Sequence, residues 1–504
     1  MRPPVVNSVV AGDPRRPLIA GVGQATWRGG DAPDPITMCA EVINSASHDS
    51  GTGGALLGRA AALGVVDIAS RRWSDPASMI AKQLGIEPKL TLRTQLGGDG
   101  PLRLVAELSE RIARGELDCA IVCGAEALAT LAKAMRSGID PDWPAPDSTA
   151  APDAVLGSDR APATDGENAA NMIAPIIVYP LFEYALWANQ GGTIEQHRER
   201  LGLLWERFAG VAKSNPHSWT QELPTASEIA ATSRNNRLVT LPYTKLLNSN
   251  IQTDQAAALI LCSQEVAREL NVARDRWVFP LAFGHAEEHW FVSSRDRLDR
   301  SPAMGLAARG ALNSAGMDAA DAAHLDIYSC FPSAVQMACH ELNIDPWSDS
   351  RPLTVTGGLS FAGGPGNNYA THAVCSLVER LREDPGSTGL STAVGWYMTK
   401  HAAAVFGGGD PERRLASVDA RAQASALPSR PIAEGRSGAA TAEAATVVYD
   451  RAGQPTVATL TGLFKDGSRG VAHSTEPGLL DELAGEPITG RPMTFAGDGT
   501  AAVA

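Results

Sequence analysis

Residues 353–372 read LTVTGGLSFAGGPGNNYATH. A short β-branched run, 353–356, leads into a turn rich in glycine and proline: Gly357, Gly358, Gly363, Gly364, Pro365 and Gly366. A helix-compatible run follows from Asn368 to Arg382. Strand, glycine-rich loop and helix in this order bring backbone N–H groups and a helix N-terminus up to a ligand. Alone, the pattern fits many α/β proteins. It gains weight because the chain contains it twice.

Residues 90–128 read LTLRTQLGGDGPLRLVAELSERIARGELDCAIVCGAEAL. Both copies open on Leu-Thr, and the doublet Gly97–Gly98 of the first stands where the second has Gly363–Gly364. Each then enters an amphipathic helix ending in Glu-Arg-aliphatic (Glu110–Arg111–Ile112, Glu379–Arg380–Leu381) and finishes in a small-residue strand, 119–124 and 392–395. Segments 65–70 and 325–330 precede the two copies as a further pair of strands. A period of roughly 265 residues is too long for a solenoid and predicts a duplicated α/β half-domain. Chance similarity of two strand–helix–strand units is the alternative on internal evidence.

The 504 residues allow two to four domains. With 44% hydrophobic and 20% charged residues, the composition is that of an ordinary globular protein. No apolar run reaches membrane-spanning length, and the N-terminal segment lacks the apolar core of a secretory signal. Seven cysteines, an odd number without a Cys-x-x-Cys pair, read as reduced, buried thiols of a cytoplasmic protein. The net charge of −13 argues against general nucleic-acid affinity.

Along the chain, 1–16 reads as a loose tail, and 17–138 with 251–275 as a first half. Residues 139–250 are an excursion, marked by seven prolines or glycines between Gly138 and Pro162. A second half spans 276–415, with a strand at 326–330 and a helix at 333–342 capped by Ser333. An Ala-, Ser- and Pro-rich linker, 416–440, leads to 441–504, where short strands and turns predict a small β-barrel or sandwich.

These residues resemble the thiolase superfamily over about 17–409, most specifically in the glycine segment 357–366, the duplicated register, and PYTKLLNSNIQTDQAAALIL at 242–261. The sterol-carrier-protein type of thiolase is the nearest variety, and the β tail resembles the additional C-terminal domain of thiolase-like proteins of type 1. The resemblance implies two βαβαβαββ halves in layers α-β-α-β-α, with an inserted loop domain. It also implies acetyl-CoA acetyltransferase-like lipid chemistry, with CoA or an acyl-CoA as substrate or ligand and no covalently bound cofactor or metal. A homodimer through the strand preceding Gly97 is a further implication, with a monomer left open because the added domain would obstruct that face. The β tail is then available to recruit a protein partner.

The motifs depart from the family where chemistry is done. The nucleophilic cysteine's position is Gly98, the Gly-His-Pro motif is Gly363–Gly364–Pro365, and the Cys-x-Gly motif is Ala393–Val394–Gly395. The motif that helps form an oxyanion hole is Tyr328–Ser329–Cys330–Phe331. Classical thiolysis is therefore expected to be absent. Three residues are candidates for altered chemistry: Tyr328 as hydrogen-bond donor or general acid, His401 as general base, and Cys330 as a thiolate before a helix N-terminus. Their bland counterparts are a tyrosine closing a strand, a histidine on a strand and a structural thiol. Tyr397 is a weaker candidate. By the resemblance, CoA would contact Lys245, Asn248, Ser249 and Asn250, with Gly364 and Asn367 beside the thioester; Asn367 and Asn368 are equally suited to capping the next helix. His285–His289 matches the inverted zincin pattern HxxEH, which requires a helix but here follows a strand. Carbon–carbon bond chemistry without an acyl-cysteine and non-catalytic CoA binding are the two function classes that compete, with a Cys330-dependent acyltransferase as a third.

Overall fold

The computed structural model describes residues 12–145, 150–485 and 487–503. The run DQAAALILCS (Asp254–Ser263) is buried throughout, as expected of a central strand covered on both faces. It lies antiparallel between Pro17–Thr26 and Cys119–Ala127, and the sheet continues in parallel through Ala62–Val65, Leu90–Thr94 and Ala154–Leu156. The second sheet repeats this plan. Lys400–Gly407 lies antiparallel between Phe279–Glu287 and Thr388–Gly395, with His324–Asp326 parallel beyond. The repeat read from the sequence is thus a repeat of strand order.

The two helices of the repeat, Gly100–Ala113 and Tyr369–Glu383, pack against each other and against both sheets. Pro35–Asp49 covers the outer face of the first sheet and Pro302–Ala315 that of the second. The result is helix, sheet, helix, sheet, helix, the layering that the resemblance implies.

Several local expectations are corrected. Residues 353–356 are not a strand. The buried Asp326 carboxylate accepts from Thr354 Oγ1 (2.9 Å), Val355 N (3.1 Å) and Thr356 Oγ1 (3.4 Å), drawing the segment into a loop. The strand expected over 326–330 ends at Asp326. Ser333 is not the cap of helix Pro332–Glu341; it lies inside the first turn, and its N–H donates to the Tyr243 hydroxyl. The segment 416–440 is no simple linker, since Ala416–Asp419 adds a parallel strand to the second sheet. Arg16, placed in the loose tail, is buried and donates to the carbonyls of Pro280 and Arg413; residues 1–11 of that tail lie outside the described residues.

The third sheet contains Arg469–Ser474, Pro455–Phe464, Gly438–Tyr449, Pro492–Phe495 and Ala501–Val503. A bridge between His473 and Thr500 brings its two ends together, so the sheet curls toward a barrel. It is tied to the rest of the molecule by Arg469, which is fully buried, pairs with Glu443 at 2.6 Å and donates to the carbonyls of Ser293 and Asp296. The Leu90–Thr94 strand, through which the resemblance implies dimerisation, already has Ala154–Leu156 on its outer edge. That edge is further sealed by Thr91 N to Asp153 Oδ2 (2.8 Å) and Gln95 N to the Leu156 carbonyl (2.7 Å).

Candidate functional site

The two glycine loops meet between the halves. Gly97 N donates to Asn367 Oδ1 at 2.9 Å, Asn367 Nδ2 donates to the Asp67 carbonyl at 3.0 Å, and Asn368 Nδ2 reaches the Gly124 carbonyl at 2.6 Å. Both amides are thus spent on lashing the second-half loop to the first half. Asn368 precedes helix Tyr369–Glu383 without capping its backbone; its Oδ1 accepts instead from Thr371 Oγ1.

At Gly98 a Cβ would lie 2.3 Å from the Tyr328 hydroxyl oxygen and 2.6 Å from the Val394 carbonyl oxygen. Three of the four departures from the family pattern, at Gly98, Tyr328 and Val394, therefore converge on one point, and the phenol occupies the space that a side chain at 98 would need. Tyr328 comes off strand His324–Asp326, its N–H donating to Thr392 Oγ1 and its ring standing edge-on to Tyr369 at 5.4 Å. Its hydroxyl makes no hydrogen bond among the described residues. Burial, reinforced by the neighbouring Cys330 and Asp99, pushes the phenol well above its ordinary range. It is therefore a proton-bearing donor at neutral pH, suited to meeting negative charge on a reacting oxygen.

Asp99 and Lys400 complete the floor of the site, and the sequence reading missed both. Lys400, 1% exposed, donates to the Leu96 carbonyl and lies 3.5 Å from Asp99 Oδ1. Side chains at Gly97 or Gly395 would collide with this pair: Asp99 Oδ1 lies 2.4 Å from a Cβ at either position. The only signal in the sequence is a lysine opening the small-residue strand KHAAAVFG, where a buried charge needs a partner.

His401 is one residue out of phase. Successive strand residues face opposite ways, so Lys400 points to the Gly97 loop and His401 to the other face. There its Nε2 meets the Met398 carbonyl at 3.0 Å and Ser301 Oγ at 3.2 Å. Burial brings its pKa down to about 3, with Arg295 adding to the effect, so it serves as a neutral strut rather than a base near neutral pH. Because the folded pKa is depressed from 6.5, the unfolded chain takes up the proton first. Stability present above pH 6.5 is then lost as pH falls toward 3. His401→Gln should remove about 2 kcal/mol of the stability difference between pH 7 and pH 5, read by urea denaturation at both values. An unaltered difference would rule out this assignment.

Cys330 is corrected in the same way. Its thiol lies against the Tyr179 hydroxyl, and burial pushes it up to about 12, so it is not a thiolate at neutral pH. Its carbonyl accepts from Ser249 Oγ at 2.7 Å, and Gly364 N donates to the Asn250 carbonyl at 2.9 Å. Ser249, Asn250 and Gly364 thus stand together beside Cys330. Lys245 is exposed, and Asn248 is engaged with the Thr244 carbonyl at 2.7 Å. Tyr397 is buried, and burial pushes its pKa up to about 12. His285 lies within strand Phe279–Glu287, and His289 Nε2 meets the Leu427 carbonyl, which excludes a helical zincin site. No group of three or more metal-ligating side chains occurs among the described residues, nor is any helix there long and apolar enough to cross a membrane.

Residues 419–500 match the family model of the thiolase-like protein type 1 additional C-terminal domain. A comparison with curated proteins gave no match. Among solved structures, a monomeric SCP2-thiolase-like protein type 1 (STLP1) from Mycobacterium smegmatis is 27% identical, covering 98% of this chain and 100% of its own, with a TM-score of 0.84. The Ltp2–ChsH2(DUF35) aldolase is 17% identical over 80% of this chain and 99% of its own, with a TM-score of 0.60. The dimeric peroxisomal thiolase of Saccharomyces cerevisiae is 14% identical over 79% of this chain and 98% of its own, with a TM-score of 0.55. The last two show the fold alone. With two sheets in repeated order, central helices behind paired glycine loops, and the matched C-terminal domain, the chain is placed in the thiolase superfamily.

Proposed function

We propose that the chain binds CoA or an acyl-CoA thioester between its halves and makes or breaks a carbon–carbon bond without an acyl-cysteine. The observation carrying this reading is the Tyr328 hydroxyl, unpartnered and seated in the space over Gly98. A neutral phenol there supplies a hydrogen bond to an oxygen on which charge develops, and Lys400 adds a positive charge to the same floor. Ser249, Asn250 and Gly364 form the wall nearest Cys330 and are the groups we assign to the thioester arm. Lys245 is assigned to the outer, anionic part of CoA, Asn248 to the ordering of the turn between them, and Asn367 to the support of the Gly97 loop. The thiol of Cys330, held protonated, speaks against an acyltransferase reading. The aldolase structure shares the fold and is compatible with such chemistry.

The test is calorimetric titration with CoA and acetyl-CoA, followed by assays on β-hydroxyacyl-CoA thioesters for aldol-type cleavage. Tyr328→Phe is expected to lower turnover by about 100-fold or more while CoA affinity stays near that of the parent. Thiolysis of acetoacetyl-CoA by the parent would overturn the proposal. CoA binding without any turnover would instead favour a non-catalytic CoA-binding protein whose C-terminal sheet engages a partner. The covered edge of Leu90–Thr94 supports a monomer, as the Mycobacterium smegmatis protein is described. Light scattering on the eluting protein should give one chain per particle, and a dimer mass would show that another face associates. Seven buried, unpaired cysteines fit a reducing, cytoplasmic setting.

A further inference from the structure

At the opposite end of the sheets lies a cavity of about 250 Å³ lined by Arg16, Arg268, Arg274, Trp277, Phe279 and Asp410, among others. Phe279 begins the strand whose far end, Glu287, pairs with Lys400. At about 3.3 Å per residue the cavity is roughly 26 Å from the floor of the candidate site. The two are separate.

The cavity concentrates positive charge without matching negative charge. Arg16 is 8% exposed and spends both terminal nitrogens on carbonyls, those of Arg413 and Pro280. Its Nε is buried without a partner, and no carboxylate of the described residues stands within ion-pair distance. Asp13 reaches it only through its longer-range field, and burial brings the guanidinium down to about 10. Residues 1–11, MRPPVVNSVVA, contain no acidic side chain that could complete a pair. A buried cation left unpaired is costly, and an anion in the cavity would offset that cost.

The Arg274 guanidinium carbon lies 5.3 Å from both the Trp277 and the Phe279 ring, which keeps the group at the cavity. Its one carboxylate partner is Asp410 at 2.8 Å, an exposed pair of the kind that contributes little and can open. Arg268, on the adjoining helix Gln264–Glu269, carries no ion pair among the described residues. The Arg268 and Arg274 forks, with the buried charge of Arg16 behind them, stand against one exposed carboxylate; this suits a compact, multiply charged anion, and planar guanidinium forks favour phosphate oxygens. The volume suits a phosphate or pyrophosphate group rather than a whole dinucleotide.

We propose that this cavity is a binding site for a small phosphate-bearing anion, independent of the chemistry between the halves. Calorimetric titration of the full chain with sodium pyrophosphate, and separately with inorganic phosphate, at constant ionic strength tests it. Saturable one-to-one binding of pyrophosphate is expected, weakened roughly tenfold or more in Arg268→Gln and in Arg274→Gln. Both positions are exposed, so these variants retain the fold, whereas Arg16→Gln tests the buried charge at greater risk to folding. Arg436→Gln, on the C-terminal sheet domain, should bind as the parent does. Absence of saturable heat in the parent, or equal affinity in all variants, would overturn the site.

Discussion

Arg469→Met should lower the stability of the chain by about 3–5 kcal/mol and release the C-terminal sheet from the second half. The guanidinium is fully buried and sits between two bodies of the structure. On its own sheet it makes a two-pronged pair with Glu443, Nε to Oε2 and Nη2 to Oε1, each at 2.6 Å. Across the junction it donates to the carbonyls of Val292, Ser293, Arg295 and Asp296. Methionine fills much of the volume but leaves the partly buried Glu443 carboxylate and several carbonyls facing one another without a donor between them. Lysine would not rescue it, because one point charge cannot serve the carboxylate and the carbonyl row together. The loss should appear as a lower thermal midpoint and as new proteolytic cleavage between residues 420 and 440. A midpoint within about 1 °C of the parent would show that the sheet is held by its other ties. Those include Ile488 N to the Tyr184 hydroxyl at 2.7 Å and Thr459 Oγ1 to the Ala170 carbonyl at 3.1 Å.

The duplication was legible because it rests on local signals: glycine doublets, helix periodicity and small-residue strands repeat whatever the distant parts of the chain do. Residues 353–356 show where this fails. Their β-branched composition favours a strand, but Asp326, 27 residues upstream of Leu353, recruits their hydroxyls and N–H groups into a loop. Tyr328 was identifiable from its place in a known motif. Lys400 was not, since choosing between adjacent residues of a strand requires knowing which face looks inward, and the run KHAAAVFG is buried on both. That one-residue ambiguity put His401 forward in its place. Arg469 left no trace either, as an isolated arginine in a terminal strand reads as solvated until the partner carbonyls at 292–296 are seen.

Gly98→Cys should fail to produce thiolysis and should itself destabilise the protein, whereas Gly364→Ala should be tolerated far better. The two glycines stand at the nucleophile and histidine positions of the family pattern, yet their surroundings differ. A Cβ at 98 meets the Tyr328 hydroxyl at 2.3 Å and the Val394 carbonyl oxygen at 2.6 Å. A Cβ at 364 has its nearest neighbours at 3.3 Å, the Asn250 carbonyl, and 3.5 Å, Ser249 Cβ. Overpacking of the first kind costs about 1–3 kcal/mol or more, and half of the obstruction is backbone that no rotamer change can move aside. Combining Gly98→Ala with Tyr328→Phe removes the hydroxyl but not the Val394 carbonyl. The double variant should therefore recover part of the loss, with a coupling of about 1 kcal/mol in a thermodynamic cycle. Strict additivity would mean that the phenol does not occupy the space over Gly98, and the catalytic assignment of Tyr328 would fall with it. Recovery of the predicted size would show that glycine at 98 and tyrosine at 328 form one unit. The site would then have exchanged a nucleophile for a fixed hydrogen-bond donor, and a cysteine returned to position 98 would find its place already taken.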